Sequence, residues 1–443
     1  MLESKSKISR LQRELSRLRT SPSLRLGAHI TDSMRRPWRA IFLPISLPVL
    51  MLLIGWEMLG RKSAPEIESR VTYDADAPAR NCVVMFPTNG VGFGHFTRTL
   101  ALAKRMKKLD PEIEIIFFTT MPTLHLLKEH GISAHYISGP KYFKDMKSAE
   151  WNALLEDELS LCIDTHRPKG FIFDGAFPYR GMLRAIHSRD NIDKLWMRRG
   201  TFRKGSSIPV DSINFFDAII HPEDSVKRDD DLVEHSLEVI TCPPILVLDE
   251  DEKISRESAR RRLGIPMECT AVYVQLGAGE INDINSEIRL TIAALTENNG
   301  VHVILGESLI GDRLDIDLDN VHIIRDYPNA MYFNGFDATV QAGGYNSFHE
   351  TRQSSLPALF YPNMHTGMDD QLARCNIAVE EGWGIVVEER NEKTIAEGVN
   401  MLLGKTRGQQ NEFEASGAWD LAEKILARCE RLSKSEKIML SKD

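Results

Sequence analysis

Cysteine is sparse in this chain, and the spacing of the cysteines excludes two common structural uses of the residue. The six cysteines stand at positions 82, 162, 242, 269, 375 and 429, with no CxxC pair and no metal-like spacing. Secreted disulfide scaffolds and zinc ribbons depend on such patterns. The sequence therefore predicts reduced, mostly buried thiols in a cytosolic compartment, and no metal site.

An excess of positive charge is also missing. The formal net charge is −8, yet residues 1–39 hold ten Lys or Arg against three acidic residues, so they carry about +7 and the remainder about −15. An acidic body argues against nucleic acid as a partner. The basic arm lies beside apolar residues, which indicates an anionic membrane surface as its partner.

Long hydrophobic runs are lacking as well. The segment "AIFLPISLPVLMLLIGW" (40–56) contains Pro44 and Pro48, and as a helix it would cover about 25 Å of a hydrocarbon core about 30 Å thick. No small-residue cleavage site follows it, so it is not an ordinary secretory signal. Two interpretations stay open: a single marginal span, or a monotopic helix lying in the headgroup layer. The second is favoured, because a span would place the acidic body outside the cytoplasm.

After a linker at 61–80, predicted strands and helices alternate along the chain. One series runs from "NCVVMF" (81–86) to "LEVITCPPI" (237–245), and another from "TAVYVQLGAG" (270–279) to "WGIVVEE" (383–389). Continuous apolar strands separated by helices are typical of parallel sheets covered on both faces. The predicted fold class is α/β with two Rossmann-like domains. The predicted divisions are a membrane-associating segment 1–60, the linker 61–80, a first domain 81–246, an interdomain helix 247–268, a second domain 269–430 and a tail 431–443.

A glycine-rich turn follows the first strand of the first domain. In "NGVGFGHFTR" (89–98), Gly92, Gly94 and His95 stand where the strand ends and a helix begins. Glycines let backbone N–H groups approach a ligand, and a helix N-terminus attracts phosphate. The spacing is not the dinucleotide fingerprint. An anion-binding turn and a structural tight turn both stay open, as do a proton-transfer role and a helix-capping role for His95.

The second domain repeats this device, again where predicted strands end. A carboxylate in such a place suits hydrogen bonds to ribose hydroxyls, because open α/β sheets bind ligands beyond the carboxyl ends of their strands. Small polar residues there can cap the following helix. The candidate positions, in "QLGAGEIND", "QAGGYNSFHE" and "DDQLARC", are Gly277, Gly279, Gly343, Gly344, Asn346, Ser347, Glu350, Asp370 and Gln371.

Two of these segments resemble a known family. "GVGFGHFTRTLALAKRMKK" is similar to the first glycine loop of glycosyltransferase family 28, and "AGGYNSFHETRQSSLPALFYPN…DDQLARC" is similar to its donor-binding segment. The resemblance covers about 80–430. It implies the GT-B fold, in which two Rossmann-like domains face a cleft. It also implies a nucleotide-sugar donor, usually a UDP-sugar, held by the second domain, an acceptor facing the first domain, and no required metal or other cofactor.

By position, the resemblance assigns roles to the candidate residues. Glu350 would hold the ribose, and Asp370 and Gln371 would face the sugar or ribose. The glycines of the second domain, with Asn346 and Ser347, would lie along the diphosphate. The first-domain group, Gly92, Gly94 and His95, would approach from across the cleft.

The reaction needs a base, because an acceptor hydroxyl loses a proton as it attacks the sugar. His95 is the first candidate, and Asp174 in "FIFDGAF" is the second. The sequence therefore predicts a hexosyltransferase at the cytoplasmic face of the membrane, making an envelope glycolipid or polysaccharide. Two alternatives are a UDP-sugar hydrolase of the nonulosonic acid type and a non-catalytic nucleotide-sugar-binding subunit that recruits a partner.

Overall fold

A computed structural model gives the structure of the 443-residue chain. It describes residues 21–58, 78–88, 93–143, 146–187, 189–198, 211–226, 237–277, 284–307, 316, 318–364, 369–408 and 415–440. Gly92 and Gly279, most of the linker at 61–80, and residues 1–20 of the basic arm lie outside the described residues. Residues 1–78 and 79–443 form two compact units.

Within residues 21–58 the first unit has three helices: α1 (Pro22–Arg35), α2 (Pro37–Ala40) and α3 (Leu43–Met58). Ser21 caps α1 by accepting a bond from the amide of Leu24, and Pro22 occupies a position where no amide partner is needed. The α1 and α3 helices are joined by the Arg25–Glu57 ion pair. None of the described helices has the length and apolar character required to cross a membrane.

The second unit begins with a parallel sheet of seven strands. They are β1 (Cys82–Pro87), β2 (Glu114–Thr119), β3 (Ser133–Tyr136), β4 (Gly170–Asp174), β5 (Asp193–Met197), β6 (Ala218–Pro222) and β7 (Glu238–Cys242). Their spatial order is β3-β2-β1-β4-β5-β6-β7. The helices between them are α4 (Gly94–Leu109), α5 (His125–Lys128), α6 (Ser148–His166) and α7 (Arg180–His187). The middle strands are buried along their length, as expected for a sheet covered on both faces.

A second parallel sheet has six strands in the order β10-β9-β8-β11-β12-β13. These are β8 (Thr270–Gln275), β9 (Val301–Gly306), β10 (Val321–Ile324), β11 (Ala338–Gln341), β12 (Ala358–Phe360) and β13 (Gly384–Val386). Its helices are α8 (Arg256–Leu263), α9 (Ile284–Thr296), α10 (Tyr345–Gln353), α11 (Gln371–Glu380) and α12 (Glu392–Leu403), and the chain continues into α13 (Gly417–Leu440). The prediction of two parallel α/β sheets is confirmed.

The strand order reverses once in each sheet, between β1 and β4 and between β8 and β11. Helices on either side of such a switch point diverge, which leaves a crevice beyond the carboxyl ends of the two strands. Gly94, the first residue of α4, is the next glycine after β1 that the structure describes, and Gly343 follows β11. These two glycines therefore lie at the two switch points.

The last helix differs from the predicted division of the chain. Although α13 follows the second sheet, Ala418, Leu421 and Ile425 are buried in the same apolar cluster as β1 residues. Arg428 also donates two hydrogen bonds to Asp193 of β5, at 2.7 and 2.8 Å. The predicted domain 269–430 thus includes part of a helix that covers the first sheet, because its apolar face matches the face of β1, β5 and β7. The other predicted boundaries stay predictions, since 79–443 is one compact unit.

Two smaller predictions have different outcomes. The segment "MPTLHLLKEHG" (121–131) predicts a helix closed by Gly131, but the structure has only the single turn of α5, because Pro122 removes a backbone donor; Gly131 has a left-handed φ of 61°. All six cysteines are free, and five are buried. The prediction of reduced, mostly buried thiols is therefore confirmed.

Candidate active site

The site is centred on the N-terminal turn of α4, at the switch point of the first sheet. His95 and Arg98 are three residues apart, so their side chains lie on the same face of the helix. That face meets Asp174, the last residue of β4, whose register partner is Pro87 at the end of β1. The parallel register of the two strands therefore brings together residues that are 79 positions apart.

The side chains of these three residues are hydrogen-bonded. His95 Nδ1 lies 2.6 Å from Asp174 Oδ1, and Arg98 Nη2 donates to the same oxygen at 2.6 Å. Thr99 Oγ1 lies 3.4 Å from the other carboxylate oxygen. The side chain of Asp174 has no exposed surface, whereas 18% of the His95 side chain is exposed.

The charge of Asp174 favours one tautomer of His95. Burial by itself would raise the pKa of Asp174, but the Arg98 guanidinium and His95 outweigh it, and the pKa is lowered. An ionised carboxylate only accepts hydrogen bonds, so the 2.6 Å contact with Asp174 favours a proton on Nδ1 of a neutral His95 ring, and Arg98 Nη2, a donor, lies 3.0 Å from the same nitrogen. Nε2 is then the ring nitrogen that carries the lone pair, as in hydrolase triads with a buried carboxylate.

The two predicted candidates for the base differ in exposure and in their local contacts. His95 does not cap its helix: the N-cap position belongs to Phe93, and no side chain caps it. Asp174 is fully buried and hydrogen-bonded to His95, and which of the two accepts a proton stays a prediction. Arg98, which pairs with Asp174 and lies 5.6 Å from the Tyr345 ring centre, was not among the predicted site residues.

The second sheet contributes the N-terminus of α10. Gly343 has a left-handed φ of 62°, and a Cβ added to it would lie 2.3 Å from Cys375 Sγ, so only glycine fits there. Gly344 is the N-cap residue and provides no side-chain cap. The expectation that Asn346 or Ser347 caps this helix is therefore wrong, and the first amides of α10 keep no side-chain acceptor at the cap.

A hydrogen bond joins the two switch points. The Nδ2 atom of Asn346 donates to the carbonyl oxygen of Gly94 at 3.3 Å. Nearby, Tyr327 Oη donates to Thr97 Oγ1 at 2.9 Å. The N-termini of α4 and α10, both without side-chain caps, thus lie close together. Helix N-termini carry partial positive charge, so this arrangement suits a phosphate-bearing ligand.

Glu350 lies on the same helix, one turn further along. It is half-buried. Burial raises the pKa of Glu350 to about 7, against the opposing influence of Lys253. Keeping this carboxylate buried costs free energy when it is ionised, and carboxylates with such raised pKa values are common at ligand-binding sites.

Two other predicted donor-site residues, Asp370 and Gln371, have local structural partners. Asp370 caps α11 by accepting a bond from the amide of Ala373 at 3.0 Å. Gln371 Oε1 accepts a bond from the amide of Asn363 at 2.9 Å. Gly277 follows β8 with a φ of 103°. Contacts of these three residues with a donor stay predictions.

A buried ion-pair cluster, not predicted from the sequence, connects the two halves of the second unit. Arg374 of α11 donates to Asp224, which follows β6, at 2.6 and 2.9 Å, and to Asp369 at 2.6 Å. Its Nη1 donates to the carbonyl of Gly343 at 3.0 Å. His349 of α10 lies 3.3 Å from Asp224. Desolvation opposes these charges, but the pairing lowers the pKa of Asp224 well below its usual range. The cluster therefore fixes the turn that begins α10.

Known glycosyltransferases are similar to this chain in sequence. No protein-family model matches the chain. It is 25% identical over 328 residues, 67% of this chain and 83% of the relative, to the UDP-N-acetylglucosamine–N-acetylmuramyl-(pentapeptide) pyrophosphoryl-undecaprenol N-acetylglucosamine transferase of Acetivibrio thermocellus. It is also 27% identical over 184 residues, 39% of this chain and 49% of the relative, to an uncharacterized glycosyltransferase of Methanopyrus kandleri.

Solved structures support the same fold. A calicheamicin glycosyltransferase superposes with a TM-score of 0.56 and 14% identity, over 79% of this chain and 98% of that one. The two parallel sheets and their switch points correspond to the fold predicted from the glycine segments. The chain is therefore a glycosyltransferase with the GT-B fold, and it is similar in sequence to an N-acetylglucosamine transferase of the kind that the glycine segments resemble.

Proposed function

We propose that the protein transfers a sugar from a UDP-sugar donor to a lipid-linked acceptor at a membrane surface. One observation carries this proposal: the His95–Asp174 pair lies beside the uncapped N-terminus of α10, which Asn346 joins to Gly94. A proton acceptor and an anion site are thus neighbours. The relative from Acetivibrio thermocellus is named for a UDP-sugar donor and a pyrophosphoryl-undecaprenol acceptor, which supports these substrate classes.

The geometry suggests how the chain would perform the transfer. The acceptor oxygen bonds to the anomeric carbon, the bond from that carbon to the diphosphate oxygen breaks, and UDP leaves with the electron pair. The acceptor proton passes to Nε2 of His95. Asp174 holds the ring in place and stabilises the imidazolium that forms. The first amides of α10 oppose the charge that develops on the diphosphate.

The proposal is tested by incubating the purified chain with a set of UDP-sugars, with and without bacterial lipid extract. We expect one labelled sugar to enter the lipid fraction, with one UDP released per sugar transferred. Equal UDP release without lipid would instead indicate the hydrolase alternative. Binding of UDP with no turnover on any lipid would support the non-catalytic alternative.

A Glu350→Gln substitution should affect stability and ligand affinity in opposite directions. Between pH 4.5 and 7, Glu350 keeps its proton in the folded protein but releases it in the unfolded chain. The burial of Glu350 therefore lowers the free energy of unfolding as the pH rises through this range. The variant should therefore be more stable than the unchanged protein at pH 8, by up to about 3 kcal/mol, and equal to it near pH 4. UDP affinity should fall by about 1–3 kcal/mol, because a charged acceptor for the ribose is lost.

Urea unfolding at the two pH values and calorimetric titration with UDP measure these effects. The exposed Glu388 provides a control, since Glu388→Gln should change neither quantity. A Glu350→Gln variant with unchanged UDP affinity would remove this residue from the proposed ribose site.

The first unit is proposed to bind the membrane surface. Several of its large apolar side chains are exposed: Trp38 is 60% exposed, Ile41 75%, Phe42 57% and Ile45 69%. Arg35, Arg36 and Arg39 lie directly before or among them. Aromatic and apolar side chains next to arginine suit the boundary between acyl chains and anionic headgroups. A peripheral, monotopic position at the cytoplasmic face would place the site beside both a soluble donor and a lipid-linked acceptor.

Deleting residues 1–60 should abolish sedimentation with anionic vesicles and leave UDP affinity unchanged within about twofold, because 79–443 forms a compact unit with its own cores. Co-sedimentation with vesicles measures the membrane binding, and calorimetry measures the UDP affinity. Replacing the four exposed residues named above by serine in the full chain should reproduce the loss of vesicle binding. Failure of the shortened chain to fold would contradict the prediction.

A further inference from the structure

A cluster of potential metal ligands lies at the β3 edge of the first sheet, formed by residues that the proposed reaction does not use. His135 of β3, with Cys162 and His166 of α6, present ligand atoms that all lie within 4.8 Å of one another. The Nε2 atoms of the two histidines are 2.9 Å apart. Cys162 and His166 are four residues apart on one helix, so their side chains lie on the same face.

The partners of His166 resemble the surroundings of a metal-bound histidine. Its Nδ1 atom is buried without a well-formed hydrogen bond among the described residues, and it lies 3.3 Å from Glu114 Oε1. Glu114 in turn lies 2.7 Å from Arg80 Nη2. Histidines that bind metal through one nitrogen usually direct the other to a carboxylate, which orients the ring. Glu114 is placed to do this for His166.

We propose that His135 Nε2, Cys162 Sγ and His166 Nε2 bind a zinc ion. Two imidazoles and one thiolate are ligands that zinc prefers, and a water can complete its tetrahedral shell. At Zn–N distances of about 2.0–2.1 Å, the two nitrogens would be about 3.3 Å apart, so the rings need to separate by only about 0.4 Å. On binding, the Cys162 proton is released to solvent, and the thiolate sulfur supplies an electron pair to the metal.

The site can admit an ion from solvent. His135 is exposed and the side chain of His166 is partly so, whereas Cys162 is buried. The ion would tie β3, at the edge of the sheet, to the end of α6. Its role would be to stabilise this edge, and it would be independent of the sugar-transfer chemistry at His95.

A second pair of facing histidines in the structure is a matched control, because it lacks a third potential ligand in the part of the chain that the structure describes. His302 Nδ1 and His322 Nε2, at the edge of the second sheet, are 3.0 Å apart. This pair belongs to no group of three potential ligands among the described residues. If two facing histidines were sufficient to bind zinc, the His302–His322 pair would bind it as well.

The test uses the untagged full chain, treated with a chelator, dialysed and then supplied with zinc or cobalt. We expect about one zinc per chain by elemental analysis and a higher melting temperature with zinc. Cobalt should give visible bands of a tetrahedral ion and a near-ultraviolet band from sulfur-to-metal charge transfer. Cys162→Ala should lose the charge-transfer band and the zinc, while Cys269→Ser should keep both.

Two further variants make the result decisive. His135→Asn changes an exposed side chain, so it should fold normally in chelator yet bind zinc at least about tenfold more weakly, whereas His322→Asn should bind normally. Glu114→Gln should weaken zinc binding about 10–100-fold while keeping the charge-transfer band, as expected for a residue that only positions His166. Zinc content that is equal in the unchanged protein, Cys162→Ala and His135→Asn would overturn the proposal.

Discussion

Turnover of the His95→Asn variant should be about 10²–10⁴-fold lower than that of the unchanged protein, which is the range typical of a general base. The asparagine amide can still donate to Asp174, but it has no nitrogen that accepts a proton near neutral pH. Donor affinity should change by less than about tenfold, because the proposed donor contacts come mostly from the second sheet. Steady-state rates and calorimetric titration with UDP measure the two quantities.

Two further variants are needed to interpret this result. The exposed His125 on α5 is a control, and His125→Asn should retain full turnover. Asp174→Asn keeps His95 but removes the carboxylate that fixes its tautomer, so turnover should also fall by about 10²–10⁴-fold. Near-normal turnover in His95→Asn would show that the base lies elsewhere. A large loss of UDP affinity with unchanged turnover at saturation would instead make His95 a phosphate contact.

The fold was predictable because each sheet is built from local signals. Strands such as β1 and β4 are buried along their length, so their sequences are mostly apolar. The packing of α13 was not predictable in the same way. Its apolar face would fit either sheet, and only the assembled structure shows that Arg428 reaches Asp193 of the first.

The site was predictable residue by residue but not as a set of contacts. The described candidates lie at the end of a strand, in the loop after it or in the first two turns of a helix, and such places are visible in one sequence. The pairing of His95 with Asp174 depends on the register of β1 and β4, which a sequence does not display. Capping was wrongly predicted at α10 because Asn346 and Ser347 are good capping residues, yet Gly344 occupies the cap and Asn346 donates across to Gly94.

The potential zinc ligands show the same limit. Cys162 and His166 have a helical spacing of four, which is a usable signal, but α6 was not among the predicted helices. His135 is 27 positions before Cys162 and is brought to it by the pairing of β3 with β2. The scattered cysteines therefore predicted no metal site, whereas the folded chain places a thiol and two imidazoles together.

Removing Asp224 should lower the free energy of unfolding by about 3–5 kcal/mol, the second large effect that we expect. The Arg374 side chain is fully buried, and Asp224→Ala would leave it with Asp369 as its one described carboxylate partner. A buried charge that loses a partner is costly because its desolvation is no longer compensated. Urea unfolding at pH 7 measures the loss, and UDP affinity should fall with it, since Arg374 also holds the carbonyl of Gly343.

A double-mutant cycle distinguishes a paired charge from simple loss of packing. Asp224→Ala combined with Arg374→Met removes both charges, so the double variant should lose clearly less than the sum of the single variants. The exposed ion pair of Asp420 and Lys424, at 2.7 Å within α13, is a matched control. Asp420→Asn should cost only about 0.3–0.5 kcal/mol. A loss below about 1 kcal/mol for Asp224→Ala, or additive losses in the cycle, would mean that the cluster does not hold the two halves together through its charges.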